Sequence, residues 1–178
     1  LSPIPRRKCF ISYHHADEGL VANFVNTFDH LNDVFIRRRL GESSDDLINS
    51  NNTDYVMSQI RNRFLRDSTV TLVMMGRCTW SRRYVDWEIQ SSLRRGQSNP
   101  NGLLGVKLPS FTHFPDRLNK NLIAPGSGDV DCYARWIDWP ANTTTLRQAI
   151  EDAFQRRTTH AHLIKNPRER MSYNRTCN

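Results

Sequence analysis

Thr69-Val-Thr-Leu-Val-Met-Met75 is a continuous run of β-branched and aliphatic residues, and Ser81-Arg-Arg-Tyr-Val-Asp-Trp-Glu88 follows it after a short polar stretch. A run without polar alternation is the pattern of a strand buried on both faces of a parallel sheet. The second stretch leads into Val85, Ile89 and Leu93, spaced with helical period, so the chain passes from a buried strand into a helix. Ligands of open parallel sheets collect outside the carboxyl ends of the strands. Glu88, four residues after Tyr84 and on the same helical face, is thereby placed to meet one. Position alone leaves open an ordinary surface carboxylate paired with Arg83 or Arg95, a contact worth at most about 1 kcal/mol.

The same alternation extends in both directions. Residues 7–13 read as a strand, and residues 17–31 as a helix with Leu20, Val21, Phe24, Val25, Phe28 and Leu31 on its buried face. Val34, Phe35 and Ile36 form a second short strand. Residues 54–66 follow as a helix with Tyr55, Val56, Ile60 and Phe64 inward. Ser81 is the expected N-cap of the Glu88 helix and Gly96 its C-terminal stop. Residues 103–108 and 133–139 supply two more strands around an irregular stretch, and residues 144–157 a closing helix. The expectation is an α/β fold, with a parallel sheet of about five strands flanked by helices on both faces. One domain spans residues 1–157, and residues 158–178 form a basic C-terminal tail or surface arm.

Residues 41–53 lack periodicity and are rich in Ser, Asp and Asn. Loops of this length are either functional or mobile. Glu42, Asp45 and Asp46 would give this one an acidic surface for self-assembly in a chain of net charge +7. That excess comes largely from scattered arginine pairs without the interleaved aromatics that stack bases, so a solvated surface or a phosphate-bearing nucleotide is expected rather than nucleic acid. The four cysteines, Cys9, Cys78, Cys132 and Cys177, show neither zinc-ligand nor redox-motif spacing, which suggests free thiols in a reduced cytoplasmic protein. No apolar run approaches membrane-spanning length. His14 and His15, on an extended chain, would point in opposite directions without a carboxylate cluster to complete a metal site, so no metal is expected.

Phe10-Ile-Ser-Tyr13, Ser68-Thr-Val-Thr-Leu-Val-Met-Met-Gly76 and Arg83-Tyr-Val-Asp-Trp-Glu-Ile89, in this order and spacing, resemble the TIR-like proteins of bacterial Thoeris antiphage systems. The resemblance covers about residues 7–157 and implies a TIR-like, flavodoxin-like sheet. It also implies an enzyme that cleaves the nicotinamide–ribose bond of NAD+, taken as substrate with no bound cofactor. The product would be an ADP-ribose species, cyclic by expectation, that signals to a separate effector protein. Glu88 matches the catalytic glutamate, which holds the hydroxyls of the nicotinamide-bearing ribose and stabilises the cation formed as the bond breaks. Phe10 and Ser12 match positions lining the nucleotide pocket, although a strand Phe read without the family is a core residue. Tyr13 and His14 stand at the same strand end, Gly76 and Ser81 flank a loop whose amides suit phosphate, and Tyr84 supplies an aromatic. Many TIR domains carry Trp-Cys before two further residues and the glutamate; here the run is Tyr84-Val-Asp-Trp-Glu88, which keeps an aromatic and lacks the thiol. A non-catalytic TIR-like interaction module and a nucleoside-processing glycosyl transferase fit the same architecture.

Overall fold

The computed structural model describes residues 3–30, 35–38, 52–96, 98–122 and 131–178, with backbone alone for residues 30, 35–38, 63 and 64. Residues 41–51 of the expected assembly loop lie outside the described residues. Five strands form the sheet: β1 (Arg7–Tyr13), β2 (Phe35–Arg38), β3 (Val70–Met75), β4 (Gly102–Lys107) and β5 (Arg135–Ile137). Their order is β2-β1-β3-β4-β5 with every pairing parallel. Register sets Ser12 beside Val73 and Leu72 beside Leu104. This strand order reverses direction between β1 and β3, the switch point at which doubly wound sheets open a crevice at the carboxyl ends of their strands.

Two helices cover one face, α1 (Glu18–Val25) and α5 (Thr143–Thr159). Val21, Phe24, Val25, Leu146, Ile150 and Ala153 pack there against Cys9 and Ile11 of β1, Leu72 and Met74 of β3, and Leu104 and Val106 of β4. Close approach is required at one point: a Cβ on Gly102 would lie 2.2 Å from the Ala153 carbonyl oxygen. The N-cap of α5 is Asn142, whose side chain accepts from the Thr145 amide.

The opposite face carries α2 (Thr53–Gln59), α3 (Arg83–Ser92) and the short α4 (Asp116–Asn119). Val85, Ile89 and Leu93 meet Val73, Met75, Leu103, Leu118 and Tyr133. Phe10 instead packs with Val56, Met57, Ile60, Leu65 and Trp87. Both α1 and α2 run on into a wider π-type turn, Asn26–His30 and Ile60–Leu65. Tyr55, expected inward, is 49 % exposed; Met57 takes the buried position in its place.

Two local expectations are corrected. Ser81 does not cap α3: it belongs to a preceding 3-10 turn, Thr79–Ser81, and the N-cap is Arg82, with no side-chain cap of its own. The missing cap comes from the tail, where the Asn174 side chain accepts from the Arg83 amide at 3.0 Å. The thiols are not all free either, since Cys78 and Cys177 form a disulfide across 99 residues of sequence, leaving Cys9 and Cys132 reduced and buried.

The residues beyond α5 lie along α3 rather than away from the body. Trp87 Nε1 donates to the Met171 carbonyl, Gln90 Nε2 to that of Pro167, and the Arg83 guanidinium to that of Ser172. Arg117 joins this strap to α3: its side chain pairs with Asp86 at 2.8 Å and donates to the carbonyls of Pro167 and Glu169. The second Asp86 oxygen accepts from the Met171 amide. Among the described residues, no helix is long and apolar enough to cross a membrane.

Candidate functional site

Alternation along β1 turns Phe10 and Ser12 toward α3, and Ile11 toward α1. The Ser12 hydroxyl, fully buried, donates to Glu88 Oε1 at 3.1 Å. Glu88 itself is 2 % exposed, and its Oε2 is buried with no hydrogen-bond partner. Burial pushes its pKa up to about 8, against a smaller opposing pull from the Ser12 hydrogen bond. One turn earlier, the Tyr84 hydroxyl is likewise buried and unpartnered. Its pKa rises to about 12, through burial first and then the Glu88 charge.

A buried polar atom left without a partner costs about 1–3 kcal/mol. Native structures keep few such atoms, and each calls for an explanation. Two of them one helical turn apart, beside the β1/β3 switch point, are the arrangement expected where a ligand supplies the missing partners.

The remaining sequence-predicted residues divide. Phe10 is fully buried beneath α2 and α3, with its ring enclosed by Val56, Ile60 and Trp87. Tyr13 faces the α1 side of the sheet, and its hydroxyl donates to Glu18, so it does not converge with Glu88. His14 sits at the end of β1 with its pKa lowered to about 4 by burial, then by His15 and Arg82. The imidazole is therefore neutral at physiological pH. The two histidine rings do not point apart as an extended chain would require: their centroids are 4.4 Å apart, edge to face. The reason is local, since the chain enters a 3-10 turn at His15. Among the described residues there is no group of three metal-ligating side chains.

Gly76, just beyond β3, has a steric task. A Cβ there would stand 2.2 Å from an Asp17 carboxylate oxygen, so only glycine lets Asp17 reach over this strand end. Its amide donates to Thr79 Oγ1 at 2.8 Å. Ser81 is fully buried, donates to the Cys78 carbonyl and accepts from Arg82 Nε. The phosphate cradle expected at this helix start is not formed as read, because the Arg83 amide is already capped by Asn174.

Sequence reasoning overlooked Asp17, Asp86 and Arg117. Asp17 opens the helix read from the sequence at residues 17–31, whereas the partners of Asp86 and Arg117 are 31 residues apart and more, with no local signal. A polar line also leads away from Glu88 between α3 and the sheet. Ser92 Oγ donates to the Glu88 carbonyl at 2.8 Å and lies 2.7 Å from Thr71 Oγ1, which accepts from Asn101 Nδ2 at 3.2 Å.

The parallel 2-1-3-4-5 sheet, with a glutamate on the helix after β3 facing the end of β1, defines a TIR-like domain. Within that class, the family profile described as Thoeris protein ThsB, TIR-like domain, matches residues 10–113. The match spans more than half of the chain, from Phe10 past β4, and the chain belongs to this family. No curated protein matches the chain.

Proposed function

We propose that this protein is an NAD+-consuming enzyme of antiphage defence in which Glu88 is the catalytic carboxylate. The observation that carries the reading is the pair of buried, unpartnered atoms Glu88 Oε2 and Tyr84 Oη next to the Ser12–Glu88 hydrogen bond. Scission of the nicotinamide–ribose bond sends its electron pair to the pyridinium nitrogen. Nicotinamide leaves neutral, and positive charge spreads over the ribose ring oxygen and anomeric carbon. A carboxylate fixed in a dry environment favours that cation over the ground state. The protonated form that burial imposes on Glu88 is reversed by the substrate's own positive charge, which lowers a neighbouring carboxyl pKa. Ser12 holds one oxygen, so that the free oxygen is the one available to the ribose hydroxyls.

Capture of the cation by the adenine end rather than by water gives a cyclic ADP-ribose isomer, which acts as a diffusible signal to a separate effector in the cytoplasm. Membership of the Thoeris family supports the defence setting and a second protein component. Self-assembly through residues 41–53 completes the site in this reading.

Glu88→Gln keeps the shape and removes the charge. It is expected to lower nicotinamide release by about a hundredfold or more while melting at or above the wild-type temperature. Chromatographic detection of nicotinamide after incubation with NAD+, alongside thermal unfolding, makes the test. Near-normal turnover by the folded variant would remove Glu88 from the reaction.

A further inference from the structure

A polar cavity lies at the opposite end of the sheet from the β1/β3 switch point, where β3 and β4 begin and α3 ends. Its volume is about 730 Å³, and Arg61, Arg66, Arg94 and Arg157 line it together with Ser91 and Asn101. That is the size of an ordinary small-molecule site. Asp67 is the one acidic residue on the wall among the described residues. Among the described residues none of the four guanidinium groups forms a salt bridge with a carboxylate, unlike Arg7, Arg117, Arg135 and Arg156 elsewhere in the fold. Arg157 is held in place, since its Nε donates to the Pro100 carbonyl and its guanidinium lies 4.9 Å from the Phe154 ring.

Ser91 adds an independent observation. It is 8 % exposed, it lines this cavity, and its hydroxyl is buried with no hydrogen-bond partner. The like charges are also close enough to act on one another: burial, then Arg94 and Arg170, lower the Arg61 pKa. A ligand that relieved both conditions would bring several acceptor oxygens and at least one full negative charge. Forked guanidinium groups with an unpartnered hydroxyl among them match the oxygens of a phosphoryl group better than a single carboxylate, which uses one fork.

We propose that this cavity is a binding site for a phosphoryl anion, either a free phosphate or pyrophosphate or the phosphates of a nucleotide, separate from the Glu88 crevice. The two sites are joined by the Asn101–Thr71–Ser92 line that ends on the Glu88 carbonyl. Asn101 and Ser92 both line the cavity. Nothing in this assignment depends on NAD+ turnover.

The test is calorimetric titration of the full chain with inorganic phosphate, pyrophosphate and ADP at constant ionic strength, with chloride as the balancing anion. Wild type should bind pyrophosphate, and Arg61→Gln and Arg94→Gln should each weaken it by about tenfold or more. Arg94→Lys keeps the charge and loses the fork, and should also bind more weakly than wild type. Glu88→Gln should bind as wild type does, which separates this site from the crevice. ADP and pyrophosphate of equal affinity identify a free anion as the ligand, and a clear preference for ADP identifies a nucleotide. Thermal unfolding of wild type with and without pyrophosphate gives a readout that needs no variant, and a rise in melting temperature is expected. The proposal is overturned by no binding to wild type. It is equally overturned if the glutamine variants bind within twofold of wild type, or if Arg94→Lys restores full affinity, since the arginines would then serve only as diffuse charge beside the carbonyl end of α3.

Discussion

Glu88 is an expensive residue for a folded chain to keep where it is. Its ordinary pKa of 4.5 becomes about 8 in the fold because burial penalises the charged form. Between those values the folded state holds a proton that the unfolded chain has released, so stability falls as pH rises, by at most about 1.4 kcal/mol per pH unit. Below about pH 6.5 the lowered pKa of His14 acts in the opposite sense, so the Glu88 contribution is read as a difference: denaturant unfolding across about pH 5 to 8 should show wild-type stability falling relative to that of Glu88→Gln. Parallel pH profiles for the two proteins would mean that Glu88 is not the buried acid described. The sequence exposed this residue well: strand, loop and helix follow from apolar spacing, and the i, i+4 relation to Tyr84 is a property of any helix. Strand alternation in the sequence already sets Tyr13 on the face opposite Phe10 and Ser12, and it lies on the α1 side in the fold, so closeness to the strand end was not enough to bring it to Glu88. Phe10, a core residue when its strand is read without the family, is wholly enclosed, with α2 and Trp87 closing over it.

The α3 helix is held on three sides, and this fixes where Glu88 points. Val85, Ile89 and Leu93 dock on the sheet, Trp87 meets α2 through Phe10, and Asp86 with Gln90 and Arg83 carries the strap. The Asp86–Arg117 pair is the buried joint, with side chains only 10 % and 5 % exposed. Removing one member strands the other charge. Asp86→Asn is therefore expected to destabilise the fold by about 3–5 kcal/mol, whereas a double replacement by Asn and Met, which leaves no unpaired charge, should recover a large part of that loss. Chemical denaturation of the single and double variants decides it, and equal losses in both would place the energy in packing instead. Helix positions were readable from apolar period alone. The start of α3 was not, since Ser81 has the right chemistry for a cap while the actual cap, Asn174, lies 91 residues downstream, beyond any local pattern.

At the scale of the whole molecule, the order of strands and helices carried the architecture into view from sequence, and the path of the last residues stayed hidden. Nothing in the spacing of Cys78 and Cys177 marks them as partners, because a 99-residue separation has no signature until the chain doubles back. Closing a loop of that length restricts the unfolded state and contributes about 4–5 kcal/mol by chain-entropy arguments. In a reducing compartment the bond opens and the strap depends on its hydrogen bonds. Cys177→Ser and dithiothreitol treatment should thus lower the melting temperature of oxidised protein to the same point, with no further fall when combined; calorimetry under both conditions checks this, and additive losses would contradict it. The strap itself meets the body largely through its main chain, with the carbonyls of Lys165, Pro167, Glu169, Met171 and Ser172 accepting from Asn121, Arg117, Trp87 and Arg83 side chains. Main-chain atoms are the same in every residue type. The instructions for docking the strap are thus written largely in the body that receives it, leaving the strap's own letters, apart from His160, Leu163, Ile164, Asn166, Arg170, Asn174, Arg175 and Cys177, open to drift without loss of the seat.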